Sequence, residues 1–432
     1  MSIARGPESM RAAIAKDHRV AEADIVRRLR ALQPAAPTRL RHAALQVFLL
    51  SLLLCFLAGV SIARPPLPPP DVRAAPGKPG WSVDDRTGCW IWNASPESGQ
   101  TVNWSEGCTP VGRAMGRGVL EWRTGSSVTR YEGELRYGVP NGHGIYTAPY
   151  GERYEGGFRD GKRHGRGVLT WGDGERYAGD FREGAMHGDG DYTEAGGNRY
   201  VGTFRDGQRD GAGTYTWANG DRYVGEFQAG KRHGRGVYTW TNGDRYEGEF
   251  LEGNLHGQGV MGRANGERYE GEWREGIRHG QGVMTAPDGG RYEGEWRKDE
   301  WNGRGVWTTK AFRYEGEFRD GQPEGEGVTI LADGQRMSGD YHAGRLHGRG
   351  EITLASGSRY KGEFRKGLIH GDGVFTWANG DRFKGHWREG RADGHGVYRA
   401  KGGKVFEGKW IDGCFRQGDT RIAIGRPAKD CR

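Results

Sequence analysis

Apolar and polar positions alternate with a period of two through most of this chain, and the alternation restarts on a fixed beat. An aromatic residue, a glycine two positions on and a second bulky residue two after that begin at Tyr131, Tyr154, Tyr177, Tyr200, Tyr223, Tyr246, Tyr269 and Tyr292, every 23 residues. One unit is a residue short, and the series resumes at Tyr314, Met337, Tyr360, Phe383 and Phe406, giving 13 starts. In the unit Tyr223 to Arg245, Tyr223, Gly225 and Phe227 alternate with Val224 and Glu226, as in a strand with one apolar and one polar face. A turn at Gly230 leads into a second run carrying Val237, Tyr238 and Trp240. That run closes on Asn242-Gly243, a dipeptide suited to a tight turn whose two central residues both need positive φ. The pattern predicts an all-β fold, an elongated array of about 12 to 13 β-hairpins joined into one continuous twisted antiparallel sheet.

Glycine keeps the same phase throughout. It follows the aromatic start by two residues in all 13 units, from Gly133 to Gly408, and recurs as a G-x-G pair in all 12 complete units, for example Gly165/Gly167 and Gly257/Gly259. Glycine inside a strand costs stability unless a bulky neighbour must approach the backbone closely. Aromatics of one strand are therefore expected to lie over glycines of the next, giving a thin core of one sheet layer plus rings.

The pattern Y-x-G-x-[F/W]-x-x-G-x-x-H-G-x-G, seen in Tyr154–Gly167 and Tyr269–Gly282, resembles the MORN (membrane occupation and recognition nexus) repeat over about two thirds of the chain. The resemblance implies an elongated β-hairpin array serving as a scaffold, a peptide-binding groove or a binder of anionic lipid. No catalytic domain accompanies the repeats, so the resemblance speaks to fold more than to role.

Outside residues 131–410 the chain changes character. Residues 1–42 form a basic tail with nine Lys/Arg against four acids, and Ile14, Ala21, Ile25, Leu29 and Leu32 lie near the spacing of a short amphipathic helix ending before Pro34. Residues 43–63 carry no charge and are long enough for a transmembrane signal-anchor helix. The basic tail on one side and the Pro-rich linker of residues 64–80 on the other predict a cytoplasmic N-terminus and an exported array. A cleaved signal peptide ending at Ser61-Ile62-Ala63 is the competing reading; the length of the basic and apolar segments favours an uncleaved anchor.

The cysteines agree with that topology. Cys55 lies in the apolar segment, whereas Cys89 with Cys108 and Cys414 with Cys431 form local pairs at the two ends of the array. No C-x-x-C occurs, which disfavours zinc, and the pairs read as disulfides closing terminal caps over residues 81–130 and 411–432. Each would contribute about 3 kcal/mol for loops of this length. Within the first cap, Gly107, Gly112, Gly116, Gly118, Leu120 and Trp122 fall in repeat phase, as a degenerate unit would.

The groups capable of chemistry recur too evenly to make a catalytic centre. Seven units place a histidine before G-x-G, namely His164, His187, His233, His256, His279, His347 and His370. Consecutive hairpins would hold these about 9.6 Å apart, too far to share a metal ion, and a polar turn role is expected. Paired carboxylates such as Glu247/Glu249 and Glu293/Glu295 beside Arg245 and Arg291 read as a solvated charge lattice. No P-loop, nucleophile elbow or nucleotide fingerprint appears in context, so neither an enzyme nor a cofactor is expected.

The net charge of +8 is concentrated outside the array, which is close to neutral and lacks the basic stripe that nucleic acid requires. Its last units are richer in lysine, and Lys361, Lys384, Lys401, Lys404 and Lys409 are candidates for anion contact. The remaining candidate surface is aromatic: Tyr223, Phe227, Tyr246, Phe250, Tyr269, Trp273, Tyr292 and Trp296 on first strands with Trp217 and Trp240 on second strands. In a one-layer sheet some of these rings are expected to stay uncovered as an apolar groove for a partner helix or peptide. The sequence therefore predicts a single-pass protein of a bacterial inner membrane with a periplasmic, non-enzymatic array. Its partner would be an envelope protein or, alternatively, anionic lipid or envelope glycan.

Overall fold

The computed structural model describes residues 76–431. Twenty-seven strands, from Thr101–Trp104 to Val405–Trp410, follow one another in one antiparallel sheet, and two-stranded sheets formed by residues 80–93 and 414–423 accompany it. Among the described residues the only helical elements are two short 3-10 turns, Pro149–Gly151 and Ala428–Asp430, and no helix is long and apolar enough to cross a membrane. The expected fold class is corrected accordingly: the fold is all-β, and the transmembrane helix assigned to residues 43–63 lies outside the described residues together with the basic tail. The inner-membrane placement with a periplasmic array, which rested on that helix, falls with it.

The chain divides into two units. The first contains strand β1 (Gly80–Val83) paired with β2 (Trp90–Asn93), and β3 (Thr101–Trp104) paired with β4 (Gly116–Thr124). Its centre is the buried carboxylate of Asp84, which accepts the Trp104 N–H at 2.9 Å, the Thr87 hydroxyl at 2.8 Å and the Arg86 N–H at 2.9 Å. Burial works against that charge, but these hydrogen bonds outweigh it and hold the carboxyl below the usual carboxylate range. The Cys89–Cys108 disulfide lies alongside, with Cα atoms 5.5 Å apart.

The second unit is the run of hairpins. In the hairpin of Arg222–Gln228 and Lys231–Thr239, the two glycines of G-x-G are there for different reasons. Gly236 stands opposite Gly225 with the Tyr223 ring folded over both, so a methyl group on either would collide with the ring. Gly234 instead takes φ +59 at a bulge, where the register slips between the Gly225–Gly236 and Glu226–His233 pairs. The tight turn sits at Ala229-Gly230, both at positive φ (48° and 81°), and not at Asn242-Gly243 as the dipeptide suggested. There only Gly243 is positive, because the Asn242 side chain accepts the Asp244 N–H at 2.9 Å and holds a longer turn closed by Trp240 N–H to Asp244 C=O.

Ring packing links the hairpins. Tyr223 meets Phe227 of its own strand edge-on at 5.2 Å and Phe250 of the next hairpin at 4.9 Å, and the same alternation runs from Tyr131 to Tyr341. Each such pair adds about 0.5–1.5 kcal/mol beyond area burial, so every hairpin is held chiefly by its neighbours. Met337 interrupts the alternation, which resumes with Tyr360 against Phe364 and ends where Trp410 stacks on Phe415. The Cys414–Cys431 disulfide lies in the segment that follows.

Candidate functional site

The aromatic groove is not there. Tyr223, Phe227, Tyr246, Phe250, Tyr269, Trp273, Tyr292 and Trp296 are between 0% and 8% exposed, because each ring is covered by the ring of the adjoining hairpin as well as by glycine backbone. The tyrosine hydroxyls are satisfied inside: Tyr223 Oη donates to the Glu226 carbonyl at 3.0 Å, and burial pushes the Tyr154 hydroxyl up to about 12. Trp217 and Trp240 are half-buried at the turn ends. Trp217 packs on Tyr238 at 4.9 Å, Tyr238 packs on Trp240 at 4.3 Å, and Arg232 lies over Tyr238 at 5.0 Å.

The opposite face of the sheet is the open one. From Gly144 to Gly408 the glycines two residues after each aromatic start and the second glycines of G-x-G stand opposite one another on successive strands, an unbroken row across the sheet. Aromatic rings, mostly tyrosine, cover most of this row on one side. On the other, no side chain rises from it, and bare backbone becomes the floor of a furrow between two banks of side chains. Over the hairpins around Gly294 to Gly362 the furrow encloses about 1180 Å³. Glu293, Val306, Glu315, Val328, Glu351 and Lys361 line one bank, with Arg304, Glu317, Glu326, Asp340, Arg349 and Glu363 on the other.

The repeating carboxylates on this face divide into two roles that the alternation alone did not separate. The first of each pair engages the arginine two residues before it on the same strand, as in Arg245–Glu247 at 2.7 Å and Arg268–Glu270 at 2.7 Å. The second reaches the bulge: Glu272 accepts the Gln281 N–H at 3.1 Å and Glu295 accepts the Arg304 N–H at 3.2 Å. Missed from sequence, this second role had a signal: an acid precedes the bulge glycine by eight residues in most units.

In four units the histidine phase accepts a hydrogen bond from the tip of the next hairpin. His187 Nδ1 lies 3.4 Å from the Asp206 N, Asp210 accepts the Ala229 N–H at 3.5 Å, Glu324 accepts Ala343 N–H at 3.0 Å and Asp393 accepts Asp412 N–H at 3.1 Å. One geometric need thus explains why His, Asp and Glu exchange there. The Ala343 N–H and then His342 hold the Glu324 carboxyl below its ordinary range. His164 Nδ1 is buried without a hydrogen-bond partner, 4.0 Å from Glu183. Among the described residues no three His, Cys, Asp or Glu side chains come together as metal ligands would.

The five lysines separate. Lys361 and Lys384 stand on one bank of the furrow and Lys409 on the other, while Lys401 and Lys404 belong to the turn between Arg391–Arg399 and Val405–Trp410. Both predicted cysteine pairs are joined, Cys89 to Cys108 and Cys414 to Cys431.

Compared with curated proteins, the chain matches none. Among solved structures it is similar to the Drosophila melanogaster SAS-4 (dCPAP) TCP domain in complex with a proline-rich motif of Ana2 (dSTIL). The identity is 11%, over 41% of this chain and 84% of that one, with a TM-score of 0.21. It is also similar to virginiamycin B lyase from Staphylococcus aureus, at 11% identity over 65% of this chain and 90% of that one, with a TM-score of 0.11. Likenesses this shallow carry no argument. The family comparison is of another kind: the model for the MORN repeat matches 13 segments, beginning with residues 112–127 and 131–152 and ending with 360–382 and 383–404. Those matches fall on the hairpins, include the degenerate first unit and cover well over half of the sequence, so the chain belongs to the MORN repeat family, whose array points to a binding or scaffold role.

Proposed function

We propose that this protein is a non-enzymatic scaffold or binding module for a protein partner, and that its contact surface is the glycine-floored furrow. The observation that carries the reading is the division of labour between the two faces. The aromatic face is consumed by packing between hairpins, whereas the polar face offers about 1180 Å³ of open groove bounded by exposed charge. A row of glycines exposes peptide groups at close range, the setting in which an extended chain is held by main chain and flanking side chains together. The functional groups of the furrow repeat from hairpin to hairpin, and a reaction centre would instead need one constellation set apart from the rest.

Photo-crosslinking in cells tests this. A benzoylphenylalanine placed at Val328 in the furrow should capture a discrete protein adduct that the same group at the fully exposed Tyr150 does not. Identical adducts from both positions, or none from Val328, would overturn the reading. A second reading, recognition of anionic lipid or glycan, is favoured by one observation, the gathering of Lys361, Lys384 and Lys409 on the furrow face. It predicts vesicle binding that salt abolishes and that Lys384→Glu weakens.

A further inference from the structure

The charge along the furrow restricts what can lie in it. The position three residues after each aromatic start is acidic in seven successive hairpins, as Glu226, Glu249, Glu272, Glu295, Glu317, Asp340 and Glu363, before the acidic run ends at His386 and the sign reverses at Lys409. Cross-strand partners on that bank are mostly complementary or neutral, such as Arg235 opposite Glu249 and Gln258 opposite Glu272. Glu326 stands opposite Asp340, a like-charge pair that costs folding free energy. Glu317, Glu326, Asp340 and Glu363 are all exposed and form no ion pair among the described residues, whereas Glu315 and Glu351 engage Arg313 and Arg359. These four carboxylates line the furrow where its volume is concentrated.

Spacing adds a second restriction. Equivalent carboxylates on consecutive hairpins lie two strand spacings apart, about 9.6 Å. A left-handed extended chain with three residues per turn rises about 3.1 Å per residue, so it returns to the same side about every 9.3 Å. We propose that the furrow binds a partner-protein segment in this conformation, carrying Lys or Arg at every third residue. One cation lies against each of Glu317, Asp340 and Glu363, and Lys384 and Lys409 end the cationic register. This inference rests on the binding-module reading above and supplies the chemistry of its ligand.

The test is fluorescence anisotropy with the purified full chain and labelled synthetic peptides. One peptide has arginine at every third residue with uncharged residues between; its control has the same composition with the arginines contiguous. The spaced peptide should bind about tenfold tighter than the control, and a Glu317→Gln/Glu326→Gln/Asp340→Asn/Glu363→Gln variant should lose about tenfold of that affinity, the sum of several exposed charge contacts. Asp340→Asn alone, which removes the like-charge pair and so keeps the fold, should show a smaller loss in the same direction. Equal binding of both peptides would overturn the spacing, and absent or variant-insensitive binding would overturn the furrow as a cation site. The scaffold reading is judged separately by the Val328 adduct, so the two can fail independently.

Discussion

The Asp221 carboxylate reaches forward by 20 residues to accept the Thr241 N–H at 2.9 Å, tying the turn of one hairpin to the turn of the next. Its other oxygen receives the Tyr238 hydroxyl at 3.2 Å. Asp244 with Ala264 and Asp381 with Lys401 repeat the link at 2.8 Å, so one edge of the array is stitched from turn to turn.

Replacing Asp221 by alanine should therefore loosen two turns at once. The expected cost is about 1 kcal/mol, that of an ordinary hydrogen bond and less than a buried charged one because the group is solvated. Amide exchange at Thr241 should accelerate while Tyr223 at the core of the same hairpin stays protected. Unchanged exchange at Thr241 would remove the link from the account.

The same carboxylates make stability depend on acid. The Thr241 N–H, ahead of the Asn219 and Thr241 side chains, holds Asp221 below the usual range despite partial desolvation, and the Lys401 N–H does so for Asp381. A depressed folded-state pKa means stability that is full above the unfolded carboxyl value of about 3.9 and is lost as pH falls through the folded value. Thermal unfolding should shift downward below about pH 4, and Asp221→Asn/Asp381→Asn should flatten that decline. A wild-type profile flat to pH 2 would contradict it.

The core predicts unequal costs for substituting a glycine and the ring that covers it. Gly236→Ala places a methyl in the Tyr223 ring and should cost about 1–3 kcal/mol, with Tyr223→Ala costing about 3–5 kcal/mol. Tyr223→Phe loses only the hydroxyl contact and should cost about 1 kcal/mol, in keeping with Phe383, which is fully buried in the same phase. If Tyr223→Ala rescues Gly236→Ala in a double-mutant cycle, the collision is the cause; strict additivity would refute it.

Asp340→Asn should stabilise the fold by a few tenths of a kcal/mol, because it removes the unfavourable register with Glu326. Denaturation midpoints of the two proteins measure this directly, and a lower midpoint for the variant would show that Asp340 has a partner of its own.

Reduction of Cys414–Cys431 should free the C-terminal segment, at a cost of about 3 kcal/mol for a loop of this length. Proteolysis after Trp410 in reductant, with the hairpins left intact, is the expected pattern. Equal resistance with and without reductant would mean that Phe415 on Trp410 suffices to hold the cap.

Much of this architecture was legible in the residues themselves. The 23-residue beat, the two strands per unit, the ring-over-glycine packing and both cysteine pairs follow from local periodicity and spacing. Each depends on contacts within one hairpin or between immediate neighbours, which a repeating sequence states over and over. Other properties did not. Tyr246 and Trp273 read equally well as core or as groove, and only the seating of each ring against the next hairpin buried them. Asn242-Gly243 was compatible with a tight two-residue turn, but the Asn242 side chain accepts the Asp244 N–H and holds a longer turn in which only Gly243 has positive φ. The membrane helix read from residues 43–63 has no counterpart among the described residues. Composition and period determined an all-β array with glycine at its centre. Which side of the glycine row is filled by rings and which is left open as a charged furrow was decided by tertiary packing, because burial belongs to pairs of hairpins and not to any one of them.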